Sequence, residues 1–408
     1  MVRLPPRLRS RFPELKKAYT AGTRAVAPAT RLVSKVSGGW LPTGVALTME
    51  DAAARSGGTC VTARPLELVS RPAALGHPAG HPAYAPVVGQ EIPRVAVAEL
   101  PRGRVLGDKS AVITGSNELV HEISLYFGTT RPLEHPLFLQ PFPGPPTEVA
   151  GRLGVLASRG DTNYYHFMVD VLPRLGVLAM TDVAPPDRWY VPTSMSFQRE
   201  LLALAGLPAE QLLDRDTHPH VRAEVLVVPG LPATHVLNPA WVTGWLRERI
   251  LPNALAGGDG TPGPERIYIT RGAAVNNRRV VDEDKVVARL EQRGFVSVDP
   301  SKYSVAEQIR IFAGARRIVS AHGAGLTNFI FSPPRSGVVE LMPNAPVLQD
   351  CYWTLSRTVP GLSYRYLVGE PGTGSDRVDL NAGLVSDITI DGDALERLLD
   401  DLDAELAD

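Results

Sequence analysis

Residues 317–342, RIVSAHGAGLTNFIFSPPRSGVVELM, leave few folds open to this chain. Arg317, Ile318, Val319 and Ser320 form a short β-branched run, and Val338-Val339-Glu340-Leu341 forms a second. Between them, Ala321-His322-Gly323-Ala324-Gly325 is a turn whose one large side chain is an imidazole. Leu326 to Phe331 start a helix, and Pro333-Pro334 stops it. Strand, bare turn, helix and strand in that order predict a crossover between parallel strands. A turn this bare, leading into a helix, aims unpaired N–H groups at one point, which is the physical recipe for holding a phosphate. On glycine spacing alone, an ordinary strand-to-helix turn fits equally well.

With 408 residues the chain exceeds one ordinary core, and at ~150 residues per domain it predicts two. A 44% hydrophobic fraction and a net charge of −1 describe a soluble globular protein and argue against a nucleic-acid binder. Cys60 and Cys351 are its two cysteines, too few for a disulfide scaffold or a cysteine-based zinc site. A reducing cytoplasm is the simplest compartment, with a single Cys60–Cys351 bridge left open. No stretch reaches the ~20 apolar residues that span a bilayer. Residues 1–40 differ from the rest: Arg3, Arg7, Arg9, Arg11, Lys16, Lys17, Arg24, Arg31 and Lys35 face one acid, Glu14. They read as a flexible basic tail, or as a peripheral contact through residues 1–35 with the inner face of the cell membrane.

Residues 41–93 alternate short strand-like pieces with proline-rich loops. His77 and His81 each precede a proline, which disfavours the helix that would pair them on a metal. Hairpins follow to residue 125, then a proline-rich connector at 137–146. From 154 onward strands alternate with helices, the signature of an open parallel sheet. Residues 256–264, AGGDGTPGP, interrupt this as a linker, and the alternation restarts at 266. The expected architecture is α/β: a basic segment (1–40), an N-terminal lobe (41–255), the linker, a C-terminal lobe (265–390) and a terminal helix (391–408). The cleft between lobes is the default site. The terminal helix carries Leu395, Leu398, Leu399 and Leu402 on one face and is expected to pack back on the N-terminal lobe.

Three clusters carry chemistry. The first is 322–328, where backbone N–H groups and His322 suit an anion. The second is Arg271 with Arg278 and Arg279, just beyond a strand, where guanidinium groups suit a bidentate grip on phosphate; a solvated basic loop is the alternative. The third is NYYHFMVD, residues 163–170, in which His166 and Asp170 lie four apart and share a helical face. A carboxylate held there suits a general base, or an Asp–His pair that only fixes the helix. No P-loop, early GxGxxG or GxSxG elbow accompanies them.

Taken in order, these motifs resemble glycosyltransferase family 61, formerly a DUF563 domain. NYYHFMVDVLPRL resembles the family's N-x-x-H-x-x-x-D-x-L-x-R-L helix. ITR followed by RRVVDE resembles its R…R-x-x-N-E segment, with Asp282 in place of Asn. The 305–328 block, with Glu307-Gln308 and HGAGLTN, is similar to its most recognisable stretch. The resemblance implies a GT-B-like fold of two Rossmann-like lobes and an inverting transfer from a nucleotide sugar that needs no divalent metal or other cofactor. It implies a UDP-linked donor, a glycan acceptor and a place in surface or capsular polysaccharide synthesis. It assigns the donor diphosphate to Arg271, Arg279, His322, Gly323, Ala324 and Gly325, and the nucleoside side to Glu340, Thr327 and Asn328. Asp170 becomes the base, oriented by His166. The rival is a non-catalytic nucleotide- or glycan-binding protein on the same fold. A nicotinamide-dependent oxidoreductase is disfavoured, because its glycine fingerprint belongs after an early strand.

Overall fold

The computed structural model describes residues 12–37, 39–107, 111–126, 131–140, 142–232, 237–272, 278–344, 350–370 and 387–407. The chain divides into two compact units, one holding Glu14–Glu67 and Pro93–Pro232, the other Leu68–Ile92 and Ala233–Asp408. Residues 1–11 of the basic segment lie outside the described residues.

The first unit is built on a ten-stranded mixed sheet. Thr147–Val155 runs parallel to both Arg188–Val191 and His220–Pro229, and Arg188–Val191 runs parallel to Leu212–Asp214. Val95–Pro101 and Arg104–Leu106 add antiparallel to His220–Pro229. The parallel part matches the expected alternation. Its central strand starts seven positions before the expected 154, because only its last residues, Leu153 and Val155, show the apolar signal of full burial. Arg174 is also buried here, donating to the carbonyls of Pro229, Leu156 and Ala157. It ties the helix Pro173–Ala179 to the ends of two strands, and burial pushes its pKa down to about 9.

The second unit is a six-stranded, all-parallel sheet in the order Val296–Val298, Arg266–Ile269, Arg317–Ala321, Gly337–Met342, Ser363–Val368, Leu75–His77. Numbered along the chain from Arg266, its first five strands run 2-1-3-4-5. That order reverses direction between Arg266–Ile269 and Arg317–Ala321, and an open sheet binds ligands beyond the carboxyl ends of the strands at such a reversal. The 317–342 expectation holds at the level of strands. The helix between them, Ala324–Phe331, is of the tighter 3₁₀ type and buries Leu326, Phe329, Ile330 and Phe331.

Three boundaries differ from the sequence expectation. The helix Ala240–Ala256, placed in the N-terminal lobe, belongs to the second unit. Arg247 on this helix donates to the carbonyls of Ile330 and Ser332, and Thr243 pairs with Thr358. The 256–264 linker therefore lies inside a unit. Residues 68–92 also join the second unit, where Leu75–His77 forms its edge strand and Tyr84 stacks on Tyr366 at 4.0 Å. The terminal helix, Gly392–Ala407, packs on its own unit's sheet rather than the N-terminal lobe, with Leu395, Leu398, Leu399 and Leu402 buried. Asp403 on this helix takes Arg266 and Arg317. Composition signals a leucine face but does not say which sheet receives it.

The basic N-terminal segment is helical from Phe12 to Val36 and packs through Thr23, Ala27 and Ser34, which corrects the flexible-tail reading for those residues. Cys60 and Cys351 are both free thiols. No helix among the described residues is long and apolar enough to cross a membrane.

Candidate active site

A pocket of about 230 Å³ opens at the strand reversal of the second unit. Its walls come from the ends of the two strands on either side, through Ile269, Thr270, Arg271, Ser320 and Ala321, and from the Gly323-Ala324-Gly325 turn. Asp299, Pro300 and Ser301 close one rim. At Gly323 the turn has no room: a Cβ there would lie 2.2 Å from Arg271 Nη1. Arg271 Nη1 donates to the His322 carbonyl at 2.7 Å, and Tyr352 donates its hydroxyl to the Gly323 carbonyl at 2.8 Å. Both bonds hold the turn by its carbonyls. The N–H groups at the start of the Ala324–Phe331 helix then face away from the helix's own ladder, as first-turn donors must.

The structure brings Arg278, rather than Arg279, to Arg271. Burial, and then the charge of Arg278, lower the pKa of Arg271 to about 10. Burial likewise lowers Arg278, and Arg278 Nε has no hydrogen-bond partner among the described residues. Its φ of 82° is a left-handed conformation that non-glycine residues rarely adopt, a form of strain that accumulates at ligand sites. Arg279 is exposed, and its backbone is tied to Asp387 and Ile388, away from the pair. In Arg278-Arg279 the sequence shows two equal cations; only the backbone turn decides which points inward. Two half-buried guanidinium groups near one another repel, and an anion between them would relieve that cost.

His322, Glu340, Thr327 and Asn328 turn away from the expected ligand roles. Glu340 is fully buried, and its two oxygens take His322 Nδ1 at 2.5 Å and the Tyr364 hydroxyl. Fully buried and engaged through both oxygens, Glu340 holds the imidazole beneath the turn. The His322 ring packs edge-on to Tyr352 at 5.1 Å, and its carbonyl is what meets Arg271. Thr327 donates to the Ala324 carbonyl, and Asn328 donates to Gln308; both are fully buried. Gln308 in turn donates to the carbonyls of Pro300 and Tyr303, so this polar chain braces the pocket rim. Asp299 and Ser301 on that rim escaped sequence reading. The one signal was Pro300 between two short polar residues, a common loop composition.

The third cluster lies in the first unit. Asn163 caps the helix as expected, accepting from the Tyr165 N–H at 2.9 Å. After Tyr164–His166 the backbone widens into a π-turn over Phe167–Val171, and the α-helix resumes at Pro173. Proline lacks the N–H that would bond the carbonyl four residues back, and its ring collides with that carbonyl. The wider turn resolves both problems, and such turns recur at functional sites. His166 Nδ1 still reaches Asp170 Oδ2 at 2.7 Å, with both side chains partly exposed. Arg159 places its charge close to Asp170.

Residues 164–339, which run from this π-turn to the strand bearing Glu340, match the family model described as Glycosyltransferase 61. Over that stretch the chain is similar to the glycosyltransferase 61 family. It is similar to protein O-linked-mannose beta-1,4-N-acetylglucosaminyltransferase 2 of Bos taurus, 32% identical over 105 residues, covering 24% of this chain and 18% of that protein. The same-named protein of Takifugu rubripes is 30% identical over 133 residues, covering 30% of this chain and 22% of the relative. The chain thus spans under a quarter of the length of these relatives. Among solved structures, E. coli heptosyltransferase WaaC with ADP aligns at a TM-score of 0.34 and 12% identity, covering 62% of this chain and 100% of WaaC. The all-parallel second unit and the parallel part of the first accord with the GT-B-like expectation on their own topology.

The presence of Asp282 where the resembled motif has Asn has a physical reading. Asp282 sits at φ 52° and precedes the helix Glu283–Gln292. Asn and Asp are the non-glycine residues that best tolerate that conformation, so either serves. Glu283, the last residue of that motif, accepts from the Tyr268 hydroxyl and braces the strand Arg266–Ile269.

Proposed function

We propose that the protein transfers a sugar from a nucleotide-sugar donor, UDP-linked, to a glycan hydroxyl. The observation that carries this reading is the convergence of Arg271 and the Gly323–Gly325 turn on one pocket at the strand reversal, with the charge of Arg278 close enough to act on Arg271. The diphosphate sits against the first N–H groups of the 3₁₀ helix, with both guanidinium groups on its oxygens. As the bond from the anomeric carbon to the leaving oxygen breaks, negative charge grows on the diphosphate, where fixed cations and N–H dipoles stabilise it most. That supply of positive charge is the reason for reading the reaction as metal-independent. Asp170 is the side chain we assign as base. It takes the acceptor proton while the acceptor oxygen bonds to the opposite face of the anomeric carbon, inverting it. With Nδ1 of His166 on Oδ2, the other oxygen of Asp170 is left to receive that proton. A role in surface polysaccharide synthesis is part of this proposal and rests on the sequence resemblance alone.

The test pairs a thermal-shift screen of nucleotide sugars with turnover of the stabilising donor. A UDP sugar should raise the melting temperature, because ligand binding to the folded state alone stabilises it. Asp170→Asn should keep that shift while transfer falls by ~100- to 10,000-fold, the usual worth of a positioned base. Transfer near the wild-type rate in Asp170→Asn would remove the base assignment. A donor that binds but is never turned over with any acceptor would leave the non-catalytic binder as the better reading.

A further inference from the structure

The helix Phe12–Val36 carries a second exposed face that the transferase reading does not use. Ala18, Gly22, Ala25, Val26, Ala29, Leu32, Val33 and Val36 recur at spacings of three and four, so they share one stripe. All are exposed, with Leu32 at 64% and Val36 at 81%, while Thr23, Ala27 and Ser34 on another face are the residues that meet the unit's core. A stripe of this length left in water is costly unless something covers it.

Charge says what covers it. Lys17, Arg24, Arg31 and Lys35 form a row along the flank of the stripe, with spacings of seven and four. Beside that row lies a pocket of about 490 Å³, lined by Arg24, Arg31 and Arg131 over Val45, Leu47 and Leu133. Leu47 is itself more than half exposed. The neighbouring acid is Glu134, which pairs with Arg24 at 3.3 Å and takes the Arg131 backbone N–H. Arg31 donates to the Pro42 and Thr43 carbonyls. Three guanidinium groups over an apolar floor fit an anionic headgroup with the start of its acyl chains.

We propose that this face docks the protein on an anionic membrane surface, with the apolar stripe in the acyl boundary and a lipid phosphate in the three-arginine pocket. An interfacial helix needs such an apolar face and basic flank, and the basic side chains reach headgroup phosphates beside it. The proposal is independent of the transferase assignment.

The test is co-sedimentation of the full chain with phosphatidylcholine vesicles, alone or mixed with phosphatidylglycerol, at low and high salt. Binding is expected to the mixed vesicles and to weaken with salt. Leu32→Glu with Val36→Glu should reduce it by more than about tenfold, and so should Lys17→Glu with Lys35→Glu, both with unchanged melting curves. Arg131→Glu probes the pocket by itself and should also weaken binding to mixed vesicles. Equal binding to both vesicle types, or none to either, would overturn the proposal. So would a concentration-dependent dimer in sedimentation velocity that Leu32→Glu with Val36→Glu abolishes, since a second copy would then be what covers the stripe.

Discussion

Single side chains decide the proposed donor pocket through lack of space as much as through charge. Gly323 admits the Arg271 guanidinium because it has no Cβ, so Gly323→Ala must displace that group. Losing a charge-assisted contact costs about 1.5–3 kcal/mol, and we expect UDP affinity to fall about ten- to a hundredfold by calorimetry. The melting temperature should move little, because the residue lies at a surface pocket. Unchanged affinity would place the diphosphate elsewhere. The same scale shows what motif matching hides. His322 and Glu340 are both prominent in the sequence, yet they bond to each other and to Tyr364 inside the fold. Arg278 and Arg279 are identical in type, and a positive φ at Arg278 separates them.

At the level of elements, the His166–Asp170 pair owes its geometry to Pro173. Pro173→Ala restores an N–H and removes the ring clash, so a regular α-helix can run through Phe167–Val171. The expected result is a stability equal to or above wild type, with transfer lost because Asp170 turns relative to its surroundings. Loss of stability together with full activity would show the π-turn to be structural only. The terminal helix gives a pH-dependent case. Burial works against the charge of Asp403, but Arg317 and Arg266 together hold its carboxyl below the ordinary value of 3.8. A depressed carboxylate adds stability in full above the ordinary range and loses it as pH falls through the folded value. Asp403→Asn should therefore melt lower than wild type at neutral pH, with the gap closing in acid below 3.8. A gap independent of pH would mean that Asp403 acts by packing alone.

For the molecule as a whole, the proposed donor site lies within one unit, and that can be read without catalysis. Hydrogen exchange with UDP bound should slow amides at 270–272 and 323–327 in the second unit and leave those at 163–172 in the first unaffected; protection confined to the latter would reverse the assignment of roles. The sequence by itself determined the α/β class, the parallel crossovers, the glycine turn and the His–Asp spacing. Each of these is written in local periodicity, in a glycine-bearing turn, or in residues four apart on one helix. Tertiary structure alone decided that Ala240–Ala256 and Leu75–His77 join the second unit and that Arg278 is the inward cation. It also decided that Glu340 is spent on His322. These are matters of which surface meets which, set by burial and hydrogen-bond satisfaction between segments far apart in the chain, and no local pattern records them.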